Sequence, residues 1–176
     1  MFVEIRAAQL ADIPALSALA KKTWVDAFGH SVSAEQLAAI LEETRSEAYF
    51  YKAIERDIIL VAAEGHNLLG YVKFGEVRLP VENLAPKAKG LHRLYVGTQR
   101  QGQGVGSQLM EAALAHPLLH QARHIYLAVW VQNQRARQLY ERFGFEVVGE
   151  YYPIEGGDAD LIMCRNQQTS PQNVSL

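Results

Sequence analysis

The sequence predicts an α/β fold in which a mixed sheet of about seven strands is flanked by about four helices. Short apolar runs rich in β-branched and aromatic residues alternate with stretches whose apolar residues recur at helical spacing. Two pairs of runs are separated by tight turns, which indicates hairpins. The runs in the middle of the chain are separated by helices instead. Hairpins place strands antiparallel and helical crossovers place them parallel, so the sheet is expected to be mixed.

The first elements are a strand and two helices. Apolar and polar residues alternate over residues 2–6, which is typical of a strand. Helical spacing of apolar residues extends from Asp12 to Phe28, and Gly29 is expected to end that helix. Ser33 and Gln36 form a capping box, in which each side chain bonds the backbone amide of the other, so a second helix is expected to begin there.

The rest of the chain reads as a hairpin, a strand–helix–strand–helix run and a second hairpin. The first hairpin turns at Gly65–Asn67, and the aperiodic stretch 78–90, which contains two prolines, is expected to be a loop. The predicted elements are strands at 58–64 and 68–77, a strand at 91–96, a helix at 104–116, a strand at 124–131, a helix at 133–143, and closing strands at 145–154 and 158–165.

Composition indicates an ordinary soluble protein. The 176 residues suffice for one core, so we expect a single domain over residues 1–165 and a disordered polar tail over 166–176. Apolar residues make up 49% of the chain and charged residues 20%. The formal net charge of -2 provides no broad basic surface, so nucleic acid is not an expected partner.

Cysteine, histidine and hydropathy patterns exclude other classes. The single cysteine, Cys164, cannot form an internal disulfide and lies in an apolar run, where a buried strand residue is expected. His116, His120 and His124 are spaced by four, but Pro117 interrupts the helix and no carboxylate completes a ligand set, so no metal is expected. Neither a signal peptide nor an apolar run of about 18 residues occurs, which predicts a cytoplasmic protein without membrane association.

A glycine-rich segment after the predicted strand at 91–96 has the features of a phosphate-binding loop. Glycine allows close approach of the backbone to a ligand, and the free amides of a helix start attract anions. A Walker loop would place a lysine between Gly106 and Ser107, and a dinucleotide fingerprint would follow the first strand. Neither pattern fits. The candidate cofactor-binding residues of this segment are Gln101, Gly102, Gln103, Gly104, Val105, Gly106 and Ser107.

The pattern Gln-x-x-Gly-x-Gly over 101–106 resembles the acyl-CoA motif of the GCN5-related N-acetyltransferase (GNAT) superfamily. The resemblance implies the GNAT fold, with a twisted and mostly antiparallel sheet, and acetyl-CoA as cosubstrate. It places the pyrophosphate on the glycine loop and the rest of the cofactor beside the strand end formed by Leu94, Tyr95 and Val96. The backbone N–H near Val96 is then the expected donor to the reacting carbonyl oxygen.

The predicted helix at 133–143 resembles a second signature of the same superfamily. Asn133 and Tyr140 are seven residues apart, which places them on one helical face with about 20° of drift. Tyr140 is the expected general acid for the departing thiolate, and Asn133 is expected to hold the pantetheine arm. Ala136 leaves that face open. Arg142 is assigned to a CoA phosphate, although a solvated charge is an equal interpretation.

The acceptor amine needs a proton acceptor and a binding surface. His92 is the first candidate for the base, Glu76 is the second, and water is the third. Acidic side chains in the second predicted helix and the segments beside it could attract a cationic acceptor as a group, although a solvated helix face is the better interpretation of any single one. The candidate acceptor-side residues are Asp26, Glu35, Glu42, Glu43, Glu47, Glu76 and Trp130.

Residues 10–165 look like bacterial spermidine/spermine N-acetyltransferases, through the segments around Trp24, Tyr71, Tyr95 and Asn133. The resemblance implies a polyamine acceptor, although His92 stands where those enzymes are expected to carry an acid. A protein N-terminus, an amino acid or a drug amine stays open as the acceptor. A non-catalytic CoA-binding sensor is the alternative of another class. The apolar closing strands allow a monomer or a homodimer.

Overall fold

The computed structural model describes residues 3–153 and 157–167. Its strands are β1 (Glu4–Ala7), β2 (Ile58–Glu64), β3 (Asn67–Gly75), β4 (Lys89–Val96), β5 (His124–Trp130), β6 (Glu146–Tyr151) and β7 (Asp160–Asn166). Its helices are α1 (Ile13–Phe28), α2 (Ala34–Arg45), α3 (Glu47–Arg56), α4 (Val105–Ala115), α5 (Pro117–His120) and α6 (Gln134–Arg142).

The strands form one seven-stranded sheet in the order β1-β2-β3-β4-β5-β7-β6. Antiparallel ladders join β1 with β2, β2 with β3, β5 with β7, and β6 with β7. A parallel ladder joins β4 with β5 through Lys89 with Ile125 and Gly90 with Tyr126. The mixed, mostly antiparallel sheet predicted from the sequence is thereby confirmed.

The described residues group into two compact units. Unit 1 comprises the chain up to Phe74 together with Arg93–Leu114, and unit 2 comprises Gly75–His92 and the chain from Ala115 onward. Strand β4 therefore begins in unit 2 and ends in unit 1. The prediction of one domain over residues 1–165 stays a prediction.

The core of unit 1 packs two helices on the first hairpin. Helix α1 contributes residues at helical spacing, so one stripe of it is buried. Helix α3 and strands β2 and β3 supply the facing side chains. The fully or almost fully buried members are Ile13, Leu16, Ala20, Phe50, Ala53, Ile59, Val61 and Tyr71.

A break at Ser46 divides the region after Ser33 into two helices, where the sequence predicted one. Ser46 has extended backbone, and its Oγ accepts a hydrogen bond from the Tyr49 N–H at 3.2 Å, which caps the start of α3. The last carbonyls of α2 find partners from other elements. Ser17 Oγ donates to the Arg45 carbonyl at 2.7 Å, and Arg93 donates to the Thr44 carbonyl at 2.7 Å.

The core of unit 2 is built around β5 and β7. Tyr126, Ile162 and Cys164 are buried there with Ala88. The stretch before β4 lacks regular structure, as the prolines predicted, but it is anchored because its apolar side chains pack on this core: Val77, Leu79 and Val81. Cys164 is a buried strand residue, as predicted, and burial raises the pKa of its thiol.

Three other helix boundaries lie where the sequence predicted them. The capping box is present, since Gln36 N–H donates to Ser33 Oγ at 3.2 Å and Ser33 N–H donates to Gln36 Oε1 at 2.9 Å. Pro117 begins α5 after the break that follows Ala115, and the side chain of His116 caps that short helix at 3.2 Å. Helix α1 ends at Phe28, immediately before Gly29, as predicted.

The end of the chain is ordered slightly further than predicted. Strand β7 includes Asn166, and Gln167 donates hydrogen bonds to the carbonyls of Arg123 at 2.8 Å and Leu119 at 2.9 Å. These two residues are therefore not part of a disordered tail. The rest of the predicted tail, the start of the first strand and most of the predicted turn at 155–157 lie outside the described residues. Within the described ranges, no helix has the length and apolar character needed to cross a bilayer.

Candidate active site

The glycine loop of unit 1 connects the end of β4 to α4. A single turn of 3-10 helix over Thr98–Arg100 follows the strand. Gly102 and Gly104 then both adopt φ of +82°, a conformation that favours glycine. Helix α4 begins directly afterwards at Val105. The sequence pattern therefore corresponds to a sharp strand-to-helix turn whose shape depends on the glycines.

The first turn of α4 presents backbone donors that the described residues leave unpaired. Gln108 N–H is the first helix amide with a carbonyl partner, Gly104 at 3.0 Å. No described residue accepts a hydrogen bond from the amides of Val105, Gly106 or Ser107. Such amides carry the positive end of the helix dipole, so this point of the chain is suited to a phosphate group.

Side-chain hydrogen bonds fix the loop in place. Gln101 Nε2 donates to the Val96 carbonyl at 3.2 Å, which ties the loop to the strand end. Gln103 Nε2 donates to the Gln99 carbonyl at 3.0 Å. Arg100 forms an ion pair with Glu64 of β2 at 2.5 Å. The two glutamines therefore brace the loop through their side chains and leave ligand contacts to the backbone.

In unit 2, Asn133 and Tyr140 lie at the two ends of α6. Asn133 is the N-cap, since its Oδ1 accepts from the Ala136 N–H at 3.1 Å. Its side-chain NH₂ has no hydrogen-bond partner among the described residues. Tyr140 is 6% exposed and packs edge-on against Phe145, with ring centroids 6.0 Å apart. Asn133 thus keeps a donor for a ligand, and Tyr140 is held in one orientation.

The end of β5 carries a group of polar contacts. Trp130 Nε1 donates to Asp158 Oδ2 at 3.0 Å, and Gln132 Nε2 donates to the same oxygen at 2.8 Å. Asp160 is half-buried beside the Tyr151 hydroxyl, and burial raises the pKa of its carboxyl. The sequence analysis singled out Trp130 and missed both aspartates, although the Asp-Ala-Asp pattern at the start of β7 signals them.

The two side-chain candidates for the base have other contacts in unit 2. His92 Nε2 lies 2.7 Å from the Glu76 carbonyl and so carries a proton that it donates there. Its Nδ1 lies 3.4 Å from Arg78 Nη1. The Glu76 carboxylate is 74% exposed and pairs with Lys89. The assignment of a base stays a prediction.

The acidic residues predicted on the acceptor side are dispersed over helix surfaces. Asp26 pairs with Lys22 at 3.0 Å and accepts from Thr98 Oγ1 at 3.4 Å. Glu35 and Glu47 lie in the first turns of α2 and α3, where a negative charge interacts favourably with the positive end of the helix dipole. Glu43 is exposed on α2. Arg142, assigned to a phosphate, is exposed at the end of α6.

The sequence analysis missed a cluster of cationic and aromatic side chains in unit 1. Arg93 lies over the Tyr49 ring at 4.9 Å, and Arg45 lies over the Trp24 ring at 5.1 Å. The Tyr71 and Tyr95 rings are 5.8 Å apart, and burial raises the pKa of Tyr71. Four different elements and the strand end supply these residues, so no local spacing announces them.

This strand order, with a glycine-rich helix start after β4, is the arrangement that the sequence analysis expected for an acyl-CoA-dependent N-acyltransferase. The comparison with protein families identifies the particular family. The model of the acetyltransferase (GNAT) family matches residues 18–145, and this chain belongs to that family.

The names of similar proteins state different substrates. The spermine/spermidine N(1)-acetyltransferase of Bacillus subtilis is 30% identical over 117 residues, which cover 66% of this chain and 72% of that protein. The L-methionine sulfoximine/L-methionine sulfone acetyltransferase of Pseudomonas aeruginosa is 27% identical over 151 residues, covering 85% and 84%. The crystal structure of PaiA N-acetyltransferase from Thermoplasma acidophilum in complex with coenzyme A has a TM-score of 0.78 at 21% identity, covering 95% and 100%.

Proposed function

We propose that this enzyme transfers the acetyl group of acetyl-CoA to a primary amine by direct attack in a ternary complex. The observation that carries the proposal is the start of α4, where the amides of Val105, Gly106 and Ser107 have no acceptor among the described residues. The residues fit a pyrophosphate, since unpaired amides at a helix start bind anions without a side-chain charge. Family membership supports the same reaction.

The proposed cofactor contacts are assigned separately in each unit. In unit 1 the loop from Gln101 to Ser107 holds the pyrophosphate, and the strand end Leu94–Val96 supplies backbone groups. In unit 2 the side-chain NH₂ of Asn133 donates to the pantetheine arm, and the small side chain of Ala136 leaves room for that arm. Arg142 contacts a CoA phosphate at the periphery. Tyr140 is assigned to the sulfur end.

The chain's own groups then handle the protons and the developing charge. Acetyl-CoA supplies an acyl carbon activated as a thioester, and the amine nitrogen bonds to that carbon as the carbon–sulfur bond breaks. The backbone N–H near Val96 donates to the carbonyl oxygen. The Tyr140 hydroxyl donates its proton to the departing sulfur and regains one from solvent. His92, Glu76 or water accepts the proton that the amine loses.

The identity of the amine is the finer part of the proposal. The relative from Bacillus subtilis supports a polyamine such as spermidine or spermine, as the sequence predicted. The relative from Pseudomonas aeruginosa supports an amino acid derivative instead. The cationic cluster in unit 1 bears directly on this choice. A cytoplasmic location and a monomeric or homodimeric state stay predictions.

Release of free thiol from acetyl-CoA, followed with a thiol reagent, tests the proposed reaction. The panel contains polyamines, amino acids, aromatic amines and peptides with free N-termini. At least one amine is expected to stimulate thiol release, with one acetylated product formed for each thiol. If coenzyme A bound but no amine raised the rate above that of hydrolysis, the chain would be a CoA-binding sensor and the proposed reaction would be wrong.

A further inference from the structure

Unit 1 contains one buried and one half-buried guanidinium group, and neither has a carboxylate in ion-pair contact. Arg45 is 5% exposed, and its Nε has no hydrogen-bond partner among the described residues. Arg93 of β4 is half-buried. Within residues 3–153 and 157–167 no acidic side chain lies in ion-pair contact with either one. A buried cation without a counter-ion is costly, so an arrangement of this kind calls for an anion from outside the chain.

The nearby buried acid has a cation of its own. Asp57 is buried together with Lys73, and Lys73 Nζ lies 3.2 Å from Asp57 Oδ2. Arg56 approaches the same oxygen at 3.6 Å. Because Asp57 is matched by these two cations, it leaves the charges of Arg45 and Arg93 uncompensated.

The tyrosines around the two arginines add a further donor. The Tyr71 hydroxyl is fully buried. Its oxygen accepts a hydrogen bond from Arg93, and no described residue accepts its proton. Burial raises the pKa of Tyr71, so the hydroxyl stays protonated and can donate. Buried donors without acceptors carry a desolvation penalty that an oxyanion removes. Arg45 Nε and the Tyr71 hydroxyl are two such donors within one unit.

Strand β4 relates this cluster to the proposed chemistry. Arg93 and Tyr95 lie on the same face of the strand, because they are two residues apart and successive side chains point to opposite faces. Val96, whose backbone N–H is the proposed donor to the reacting carbonyl, is three residues beyond Arg93. That is a spacing of about 10 Å between the two backbone positions along an extended strand.

We propose that the side chains of Arg45, Arg93 and Tyr71 bind a carboxylate of the acceptor, so that the enzyme acetylates an amino acid or a similarly carboxylated amine. The inference rests on the proposed function and specifies its substrate class. A polyamine would bring additional positive charges toward the guanidinium groups of Arg45 and Arg93, and like charges disfavour one another. A carboxylate pairs with guanidinium groups through charge-assisted hydrogen bonds, which are the stronger kind.

Acceptors that differ only in the carboxylate test the proposal. Methionine, methioninamide and 3-(methylthio)propylamine share a side chain, and lysine and cadaverine form a second pair, with spermidine as the polyamine. We expect kcat/KM for the amine that carries a carboxylate to exceed that for its partner without one by about tenfold or more, as charged hydrogen bonds imply. Equal rates within a pair, or a preference for spermidine, would contradict the proposal.

Variants separate recognition of the carboxylate from structural support. Arg45→Met and Arg93→Met are expected to reduce the preference for the carboxylated acceptor by about 10- to 100-fold. Tyr71→Phe removes only the hydroxyl and is expected to reduce it by about threefold to tenfold. Lys52→Met is the matched control, since it removes a cation that is exposed on α3 in unit 1, and it is expected to leave the preference unchanged.

The readout is the ratio of the two kcat/KM values, which a loss of folded enzyme does not change. Arg93 also caps α2, so Arg93→Lys is measured beside Arg93→Met to retain a charge at that carbonyl. Variants that lower both rates equally would assign the cluster a structural role and overturn the proposal. If no amine in the panel is acetylated, the proposed function fails. If amines are acetylated without regard to their carboxylate, only the substrate class is wrong.

Discussion

Two aspartates show how local environment shifts a carboxyl pKa in opposite directions. Asp12 accepts two hydrogen bonds from Arg6, at 2.7 and 2.9 Å. The Arg6 hydrogen bonds hold the pKa of Asp12 below its usual value. Asp160 is half-buried in unit 2, and burial raises its pKa even though the Tyr151 hydroxyl bonds the carboxylate. The two residues should therefore contribute to stability with opposite signs at neutral pH.

Replacement of Asp12 by asparagine is expected to lower the free energy of unfolding at pH 7. A folded-state pKa below the unfolded value near 3.9 stabilises the protein above that pH. The contribution disappears as the pH falls through the folded-state pKa. Urea unfolding of wild type and Asp12→Asn between pH 3 and pH 8 measures this, and the difference should narrow only at the acid end.

Replacement of Asp160 by asparagine is expected to have the opposite effect. Ionising Asp160 costs more in the folded than in the unfolded chain, so its charge destabilises the protein above the raised folded-state pKa. Below about pH 3.9 the carboxyl is protonated in both states and the effect vanishes. The same urea titration should find Asp160→Asn more stable than wild type at pH 7. A less stable variant at pH 7 would show that the Tyr151 contact outweighs burial.

Tyr140 is the residue on which the proposed chemistry depends most. Removing its hydroxyl in Tyr140→Phe is expected to lower kcat by about 10²- to 10⁴-fold, the usual contribution of a general acid. The KM for acetyl-CoA should stay within about twofold, since the ring and its packing on Phe145 are retained. Tyr152→Phe is the control, because Tyr152 is 62% exposed. Unchanged turnover in Tyr140→Phe would remove this residue from the mechanism.

At the scale of elements, the backbone conformation of the glycine loop sets the position of the amides that are proposed to bind the cofactor. Gly104 has a φ of +82°, and a Cβ there would meet only Gln108 Nε2 at 3.9 Å. The side chain would have space, so the cost of Gly104→Ala is conformational and amounts to about 1–2 kcal/mol. The strain acts on the residue that precedes the unpaired amides.

Gly104→Ala is therefore expected to weaken coenzyme A binding by about tenfold, since the amides of α4 would shift from their position. Isothermal titration with coenzyme A measures the dissociation constant. Gly149→Ala in β6 is the matched control, because no atom lies within 4 Å of its added Cβ and its φ is not positive. Equal affinity in both variants would show that the loop conformation does not govern binding.

The helix boundaries show which features the local sequence can predict and which it cannot. The capping box at Ser33 and the end of α1 before Gly29 were predictable, because residues a few positions apart determine them. The division between α2 and α3 was missed. It depends on the Ser46 cap together with Arg93 and Ser17, which reach the last carbonyls of α2 from 49 and 28 residues away. No local pattern contains partners at that distance.

At the scale of the whole molecule, a ligand that binds only the folded chain raises its stability. With coenzyme A at 100 times its dissociation constant, the free energy of unfolding should increase by about 2.7 kcal/mol. Urea unfolding with and without the cofactor measures the increase. Pantetheine, which lacks the pyrophosphate, should stabilise the chain much less. Equal stabilisation by the two compounds at the same concentration would contradict the assignment of the pyrophosphate to the glycine loop.

The sequence by itself determined the order of the strands along the chain, the mixed sheet and the glycine turn, whereas the roles of Asn133 and Tyr140 stay predictions. Each of these depends on residues near one another in the chain, where hydrophobic period, turn chemistry and cap residues act directly. The same local reasoning identified the position of a buried Cys164 and the break at Pro117.

Only the tertiary structure shows which charged side chains are buried and which have no ionic partner among the described residues. The acidic residues that suggested a cationic acceptor are spread over solvated helix surfaces, whereas Arg45, Arg93 and Tyr71 interact in unit 1 from three separate elements. A charge count along the chain cannot show which side chains are buried or which lack a partner. Burial and pairing set the energy of a charge, and both are properties of the fold rather than of the order of residues.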